Sequence, residues 1–293
     1  MKFSLWPNLS HSPADVLELA RWADDHGWYG VWYADHYMNN TGDTSFSPGD
    51  VHEAWAILPA IAAVTSNVRV GPLVSPTSVH HPAVLANRAA SLDHLSNGRF
   101  VLGLGAGWQI NEHAAYGIEL EPPGPRVTRF EEAIQIVRSL LGEQRTTFHG
   151  SVYTVTDAPM DPKPVQSPLP ILVGTGSPRM LAITARYADE WNTWGTPDMT
   201  APKLANLTAA TERVGRAPGW KSVNAMIDLG GSPAPAGRPV LAGSAAEVVD
   251  LLGQYADQGF DEFILPDWTL GDTNAERIDT LAQIQDDVFS QLR

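Results

Sequence analysis

Short apolar runs alternate with longer amphipathic stretches along the whole chain, and this alternation limits the fold more than any single motif. Phe3–Trp6, Val31–Tyr33, Val68–Val74, Arg99–Gly105, Ile171–Gly174, Glu190–Thr193, Val223–Leu229 and Phe263–Pro266 read as strands. Most are rich in apolar residues at successive positions, as expected of parallel strands covered on both sides by helices. Helical patterns fill the gaps. Ser12-Pro13 opens one, with Asp15 as its capping-box acid; Val16, Leu19, Ala20 and Ala23 share a face, and His26-Gly27 stops it. Others cover Glu53–Ser66, the stretch from Ala83 to Asn97-Gly98, Ser177-Pro178 to Tyr187, and more weakly Ala201–Val214. Ser244 and Glu247 make a capping box for a helix ending at Gly259, and a last helix carries Ile278, Leu281, Ile284 and Val288.

Eight β-then-α units in 293 residues predict an α/β fold, a (β/α)8 TIM barrel in a single domain over 1–293. An insertion follows the fourth strand. It holds a helix with Phe130, Ile134, Val137 and Leu141 on one face, a short hairpin around Thr147–Val155 and the Pro-rich Pro159–Pro170. Gly230–Gly243 forms a Gly/Pro-rich loop after the seventh strand. A doubly wound sheet shares the alternation, but its phosphate-binding glycines follow the first strand. Here that strand runs into Trp6-Pro7-Asn8.

A formal net charge of −14 argues against a general nucleic-acid or acidic-lipid surface. With no cysteine there are no disulfides, thiolate nucleophiles or iron–sulfur ligands. No apolar run reaches the roughly 18 residues of a membrane span. The start, Met1-Lys2-Phe3-Ser4, lacks a signal-peptide core, so a cytoplasmic location is expected. No histidine sits in an HExxH frame and no GxSxG is present, so neither a metal site nor a serine hydrolase is expected.

In such a barrel, chemistry collects at the strand ends. Asp35-His36 follows the second strand, where the imidazole can move a proton and the acid can tune it, although the pair also suits a capped loop. Pro72-Leu73-Val74-Ser75-Pro76 ends the third strand, with prolines that forbid normal pairing; an ordinary strand exit explains it equally. Gly103-Leu104-Gly105-Ala106-Gly107-Trp108 lets backbone approach a ligand, with close packing as the plain account of Gly103. Asn111 and Glu112 follow, either as partners for a heterocycle edge or as first-turn helix residues. Gly174-Thr175-Gly176-Ser177-Pro178 leads into a helix N-terminus that attracts anions, with Arg179 beside it and Ser177 as N-cap. Trp6, Trp108 and Trp194 offer flat apolar faces at the rim. Asp35, Asp228 and Asp267 keep open a glycoside-hydrolase barrel, which would leave the glycine loops unexplained.

At these residues the chain resembles the bacterial luciferase-like family of flavin and deazaflavin oxidoreductases. The resemblance is strongest in Gly30–His36, in Leu92-Asp93-His94-Leu95-Ser96-Asn97-Gly98-Arg99 through Trp108, and in Gly174–Asn192 with Ala185-Arg186-Tyr187-Ala188-Asp189. Length and the Asp-His pair are most similar to the coenzyme F420 branch. The resemblance implies a barrel, commonly a homodimer, that passes hydride between the deazaflavin C5 and a small organic substrate. It makes His36 the proton donor or acceptor and Asp35 a catalytic and cofactor-contacting acid. Leu73 and Ser75 would flank the ring, with a cis peptide at Pro72–Leu73. Ala106, Gly107 and Asn111 would bind the ring, and Gly174, Gly176, Ser177, Arg179 and Met180 the phosphate-bearing tail. Sugar-phosphate dehydrogenases of the family carry a glutamate where this chain has Trp108 and a lysine near Pro197. Their absence implies an apolar or aromatic substrate held by Trp6, Trp108 and Trp194. The alternatives are an FMN-dependent monooxygenase fed by a reductase, and a barrel that only carries the cofactor.

Overall fold

The computed structural model describes residues 1–230 and 237–292. The chain runs β1 (Lys2–Trp6), α1 (Pro13–Asp25), β2 (Gly30–Tyr33), α2 (Ala54–Val64), β3 (Arg69–Pro72), β4 (Ser75–Pro76), α3 (Pro82–Leu95) and β5 (Leu102–Gly105). The insertion follows as α4 (Ile110–Tyr116), α5 (Pro123–Gly142), β6 (Thr146–His149) and β7 (Thr154–Ala158). Then come β8 (Ile171–Gly174), α6 (Pro178–Tyr187), β9 (Glu190–Trp194), α7 (Pro197–Arg213), β10 (Trp220–Asn224), β11 (Met226–Asp228), β12 (Val240–Ala242), α8 (Ala245–Asp257), β13 (Glu262–Pro266) and α9 (Asn274–Asp287).

Nine strand segments pair in the order β3-β2-β1-β13-β10-β9-β8-β5-β4, and every pairing in this sheet is parallel. The two outer members, β3 and β4, are halves of one strand position separated by Leu73 and Val74. Val70 also bridges to Phe100, so the sheet nearly closes into the expected (β/α)8 barrel.

The strands are buried because helices cover them outside and side chains fill them inside. Leu5, Val31, Leu104, Val173, Val223 and Leu265 pack outward against Leu19, Leu58, Leu85, Ile134, Ile183 and Leu252. A second cluster inside the barrel contains Trp6, Trp32, Ala34, Leu73, Val101, Leu172 and Ile264. Below it, at the N-terminal ends of the strands, Glu262 accepts the indole N–H groups of Trp32 at 2.8 Å and Trp220 at 2.9 Å. Arg69 pairs with Glu190 there and lies 3.9 Å from Glu262. This end is a packed polar plug.

Local signals in the sequence explain the helix ends. Ser12 accepts from the Asp15 amide, and Ser244 with Glu247 and Thr273 with Glu276 form reciprocal capping boxes. At α1 only the Ser12 half of the expected box is present. The seventh strand is shorter than expected, because the chain leaves the barrel after Asn224 and β11 pairs with β12 instead. Of the Gly/Pro-rich loop expected over 230–243, residues 231–236 lie outside the described residues. In the insertion, Glu132 on α5 accepts from the amides of Ser151, Val152 and Tyr153, pinning the β6–β7 hairpin to the barrel. Among the described residues, no helix is long and apolar enough to cross a membrane.

Candidate active site

The C-terminal mouth holds a cavity of about 770 Å³, within the range of small-molecule and cofactor sites. Its floor is the break between β3 and β4. There the Leu73–Val74 peptide is cis, one residue later than the Pro72–Leu73 bond expected from the resemblance. Both residues line the cavity.

Val74 packs against three of the glycines. A Cβ on Gly103 would lie 2.0 Å from the Pro72 carbonyl oxygen and 3.1 Å from Val74 Cγ1. One on Gly105 would lie 2.7 Å from Val74 Cγ2, and one on Gly174 would meet both Val74 methyls within 3.2 Å. Glycines on β5 and β8 therefore make room first for a protein side chain, which in turn forms the floor. Gly107 is constrained differently: its φ is +89°, and a Cβ there would lie 2.0 Å from Ser78 Oγ. Gly105, Ala106 and Gly107 all face the cavity.

His36 lines one wall with its side chain 18% exposed, and its Nδ1 donates to Glu112 Oε1 at 2.9 Å. The other Glu112 oxygen accepts the Tyr37 amide at 2.8 Å, which fixes the carboxylate. Glu112 is brought there by the short helix α4 and also lines the cavity. With Nδ1 engaged, Nε2 is the ring nitrogen left for a ligand. Trp108 stands at the rim, 52% exposed, edge-on to His36 with ring centroids 5.5 Å apart.

Asp35 lies behind the wall and does not line the cavity. It is 1% exposed and accepts from His80 Nε2 at 2.9 Å, from Trp55 Nε1 at 3.0 Å and from the Ser75 hydroxyl. Burial alone would push its carboxyl up, but the His80 and Ser75 hydrogen bonds and the nearby imidazoles outweigh that and hold it below its ordinary value. Ser75 shares this buried network. Asn111 is also buried and does not line the cavity itself; it donates to the carbonyl of Asn39, which does, at 2.7 Å.

On the opposite side Gly174, Gly176 and Met180 line the cavity, whereas Ser177 and Arg179 do not. Arg179 instead donates to the Gly124 carbonyl and the Thr128 hydroxyl. Ser177 makes no side-chain cap, so the first-turn amides of α6 keep their donors free of a side-chain acceptor. Lys203 from α7 fills the place expected of Arg179. It lies against Gly176, donates to the Trp194 carbonyl at 2.6 Å and is shifted below its ordinary pKa by burial. Asn192 and Asn224 exchange side-chain hydrogen bonds of 3.0 and 3.1 Å and both line the cavity. Trp6, Trp194 and Trp268 complete it as a mutually packed trio.

Glu112, Lys203, Trp268 and Arg238 reach the cavity without standing in any strand-end motif. Glu112 stood out in the sequence as a partner for a heterocycle edge or a first-turn helix residue, and not as a partner of His36. Lys203 lies in the second turn of α7, and nothing in a linear pattern signals it. Among the described residues, no cluster of three or more His, Asp and Glu side chains could hold a metal.

Known proteins share this architecture. The chain is 34% identical over 179 residues to an F420-dependent glucose-6-phosphate dehydrogenase of Amycolatopsis mediterranei, an alignment covering 60% of this chain and 50% of that one. The chain thus spans about half the length of that relative. The fold superposes on an F420-dependent secondary alcohol dehydrogenase in complex with an F420-acetone adduct, at a TM-score of 0.82 and 19% identity over 98% of both chains. It superposes equally on a monooxygenase of Streptomyces bottropensis, at a TM-score of 0.82 and 22% identity over 100% of both chains. The sequence profile of luciferase-like monooxygenases matches residues 1–234, and the chain belongs to that family.

Proposed function

We propose that this protein is a coenzyme F420-dependent oxidoreductase acting on a small organic substrate, with His36 as its proton donor or acceptor. The observation that carries this reading is the His36–Glu112 pair, set in the wall of a cavity whose floor is the Leu73–Val74 segment. The donor set suits the cofactor. A flat ring needs an apolar floor and close backbone, which Leu73, Val74 and Gly105–Gly107 supply. An anionic tail needs N–H donors and positive charge, which the start of α6 and Lys203 supply. The coenzyme, when bound, supplies hydride transfer; the protein supplies alignment, dryness and a proton.

Glu112 accepts from Nδ1 and fixes the imidazole tautomer, so that Nε2 can give or take a proton at the substrate. Asp35 holds Ser75 and His80 behind the floor and acts as a positioning residue. Gly174, Gly176 and Met180 form the tail wall, with Ser177 contributing through the helix start it precedes. Arg179 braces that helix against the start of α5. Trp6 and Trp194 hold the substrate, with Trp108 at the rim.

The FMN-dependent monooxygenase reading shares fold and cavity, so the test must separate the cofactors. Apo-protein titrated with coenzyme F420 and with FMN, following each cofactor's own visible absorbance, should bind the deazaflavin at least about tenfold tighter. Preference for FMN, or binding of neither, defeats the proposal.

A further inference from the structure

Arg238 lines the cavity and takes no part in the chemistry described above. It stands just before β12, with its guanidinium carbon 5.2 Å from the ring centres of both Trp194 and Trp268. Trp6 closes the group, 5.3 Å from Trp194 and 5.2 Å from Trp268. The arginine is partly buried, and that burial draws its guanidinium below its ordinary pKa with no opposing anion. It pairs with no carboxylate and meets no hydrogen-bond acceptor among the described residues. Elsewhere in the chain, arginines drawn inward are matched. Arg69 meets Glu190, Arg138 meets Asp189, and Arg99 meets the carbonyls of Ala62, Thr65 and Val68. An unmatched cation is conspicuous in a chain of net charge −14, where carboxylates are plentiful.

A guanidinium over an indole ring is held by cation–π attraction, which leaves its N–H groups available as donors. Those groups form a fork that fits a carboxylate or phosphate through two parallel hydrogen bonds. Three packed indoles next to it provide apolar faces for the rest of such a molecule. Lys203, the other cation on the cavity wall, donates one hydrogen bond to the Trp194 carbonyl and lies beside Gly176, on the tail wall. The two cations therefore serve different parts of the cavity.

We propose that Arg238 is a specificity residue that receives an oxyanion, a carboxylate or a phosphate, borne on an aromatic or apolar substrate lying against Trp6, Trp194 and Trp268. This deepens the proposed function and rests on its assignment of the tail wall to the cofactor. The coenzyme tail is the other possible source of the same anion, and the experiment separates the two.

Apo-protein is titrated with 3-phenylpropionate, phenyl phosphate and the neutral 3-phenylpropionamide, following indole fluorescence, and the same preparations are titrated with coenzyme F420. At least one anionic probe should bind about tenfold tighter than the amide, as a charge-assisted pair implies. Arg238→Met should erase that preference and Arg238→Lys should restore part of it, with F420 affinity held within about twofold in both. Retained F420 binding also shows that the variants fold. Equal binding of the amide and both anions overturns the inference, as does absence of saturable binding by either anion. A preference that survives Arg238→Met overturns it too. If F420 affinity falls while the preference persists, the arginine serves the coenzyme tail. Failure of the wild-type protein to bind F420 strikes the proposed function instead, and leaves the anion preference to be read on its own.

Discussion

His36 and Glu112 make opposite demands on a substitution. His36→Ala removes the proton carrier but leaves the Leu73–Val74 floor and the Lys203 wall in place, so F420 affinity should hold while turnover falls roughly 10²–10⁴-fold. Unchanged turnover would exclude His36 from proton transfer. Glu112 acts through the imidazole, accepting from His36 Nδ1 with one oxygen and from the Tyr37 amide with the other. A glutamine can accept only one of those bonds, so Glu112→Gln should lower kcat about tenfold or more with cofactor affinity intact. Nitrogen NMR of the His36 ring should also show loss of a single fixed tautomer, a change that mere structural damage would not produce. Asp35 differs from both because its network is buried. Its folded-state pKa is held below the unfolded value, so its contribution is fully present at neutral pH. That contribution fades as pH falls from about 4, the unfolded aspartate value, through the lower folded value. The melting temperature of Asp35→Asn should therefore lie well below wild type at neutral pH, with the gap closing below about pH 4. A gap that stays constant across the acid range would show that the carboxylate's charge contributes nothing.

At the scale of the element, the break between β3 and β4 is the unit on which the cavity depends. Val74 projects across Gly103, Gly105 and Gly174, and Gly103 also abuts the Pro72 carbonyl at a hypothetical Cβ distance of 2.0 Å. Backbone cannot give way as a flexible side chain can. Gly103→Ala should therefore destabilise the fold by about 1–3 kcal/mol or more through overpacking and should weaken cofactor binding as the floor shifts. A chemical denaturation curve and an F420 titration of this variant both matching wild type would refute that dependence. This element also marks where sequence reading stops. The barrel was legible because eight strand–helix units and their caps are local patterns. The glycines at 103, 105 and 174 were legible as positions of close approach, but not what approaches them, since Val74 comes from a neighbouring strand. The cis bond, which the resemblance alone placed at Pro72–Leu73, lies at Leu73–Val74. The resemblance sets Asp35, Ser75 and Asn111 beside the ring, whereas packing buries all three and none of them lines the cavity. Lys203 and Arg238 left no trace, because a long side chain reaches the cavity from a helix or loop that the linear pattern treats as ordinary.

Across the whole molecule, the two ends of the barrel carry polar residues for different purposes. At the closed end Arg69 stands between the Glu190 and Glu262 carboxylates, and Glu262 takes up the Trp32 and Trp220 indole N–H groups, with Tyr29 stacked on Trp220. At the open end His36, Lys203 and Arg238 face a cavity, and the last of these has no counter-ion among the described residues. Removing one member of the closed-end set leaves uncompensated charge in a buried place. Arg69→Met should accordingly cost about 3–5 kcal/mol of folding stability. Pairs at the N-terminal end of such barrels serve stability, whereas chemistry belongs to the other face. The intervening layer of Trp32, Val101, Leu172 and Ile264 separates the plug from the floor at Leu73, so the folded fraction of Arg69→Met should bind F420 as wild type does. A variant that melts normally but binds the coenzyme poorly would reverse this division, showing that charge at the base of the barrel is felt at its mouth.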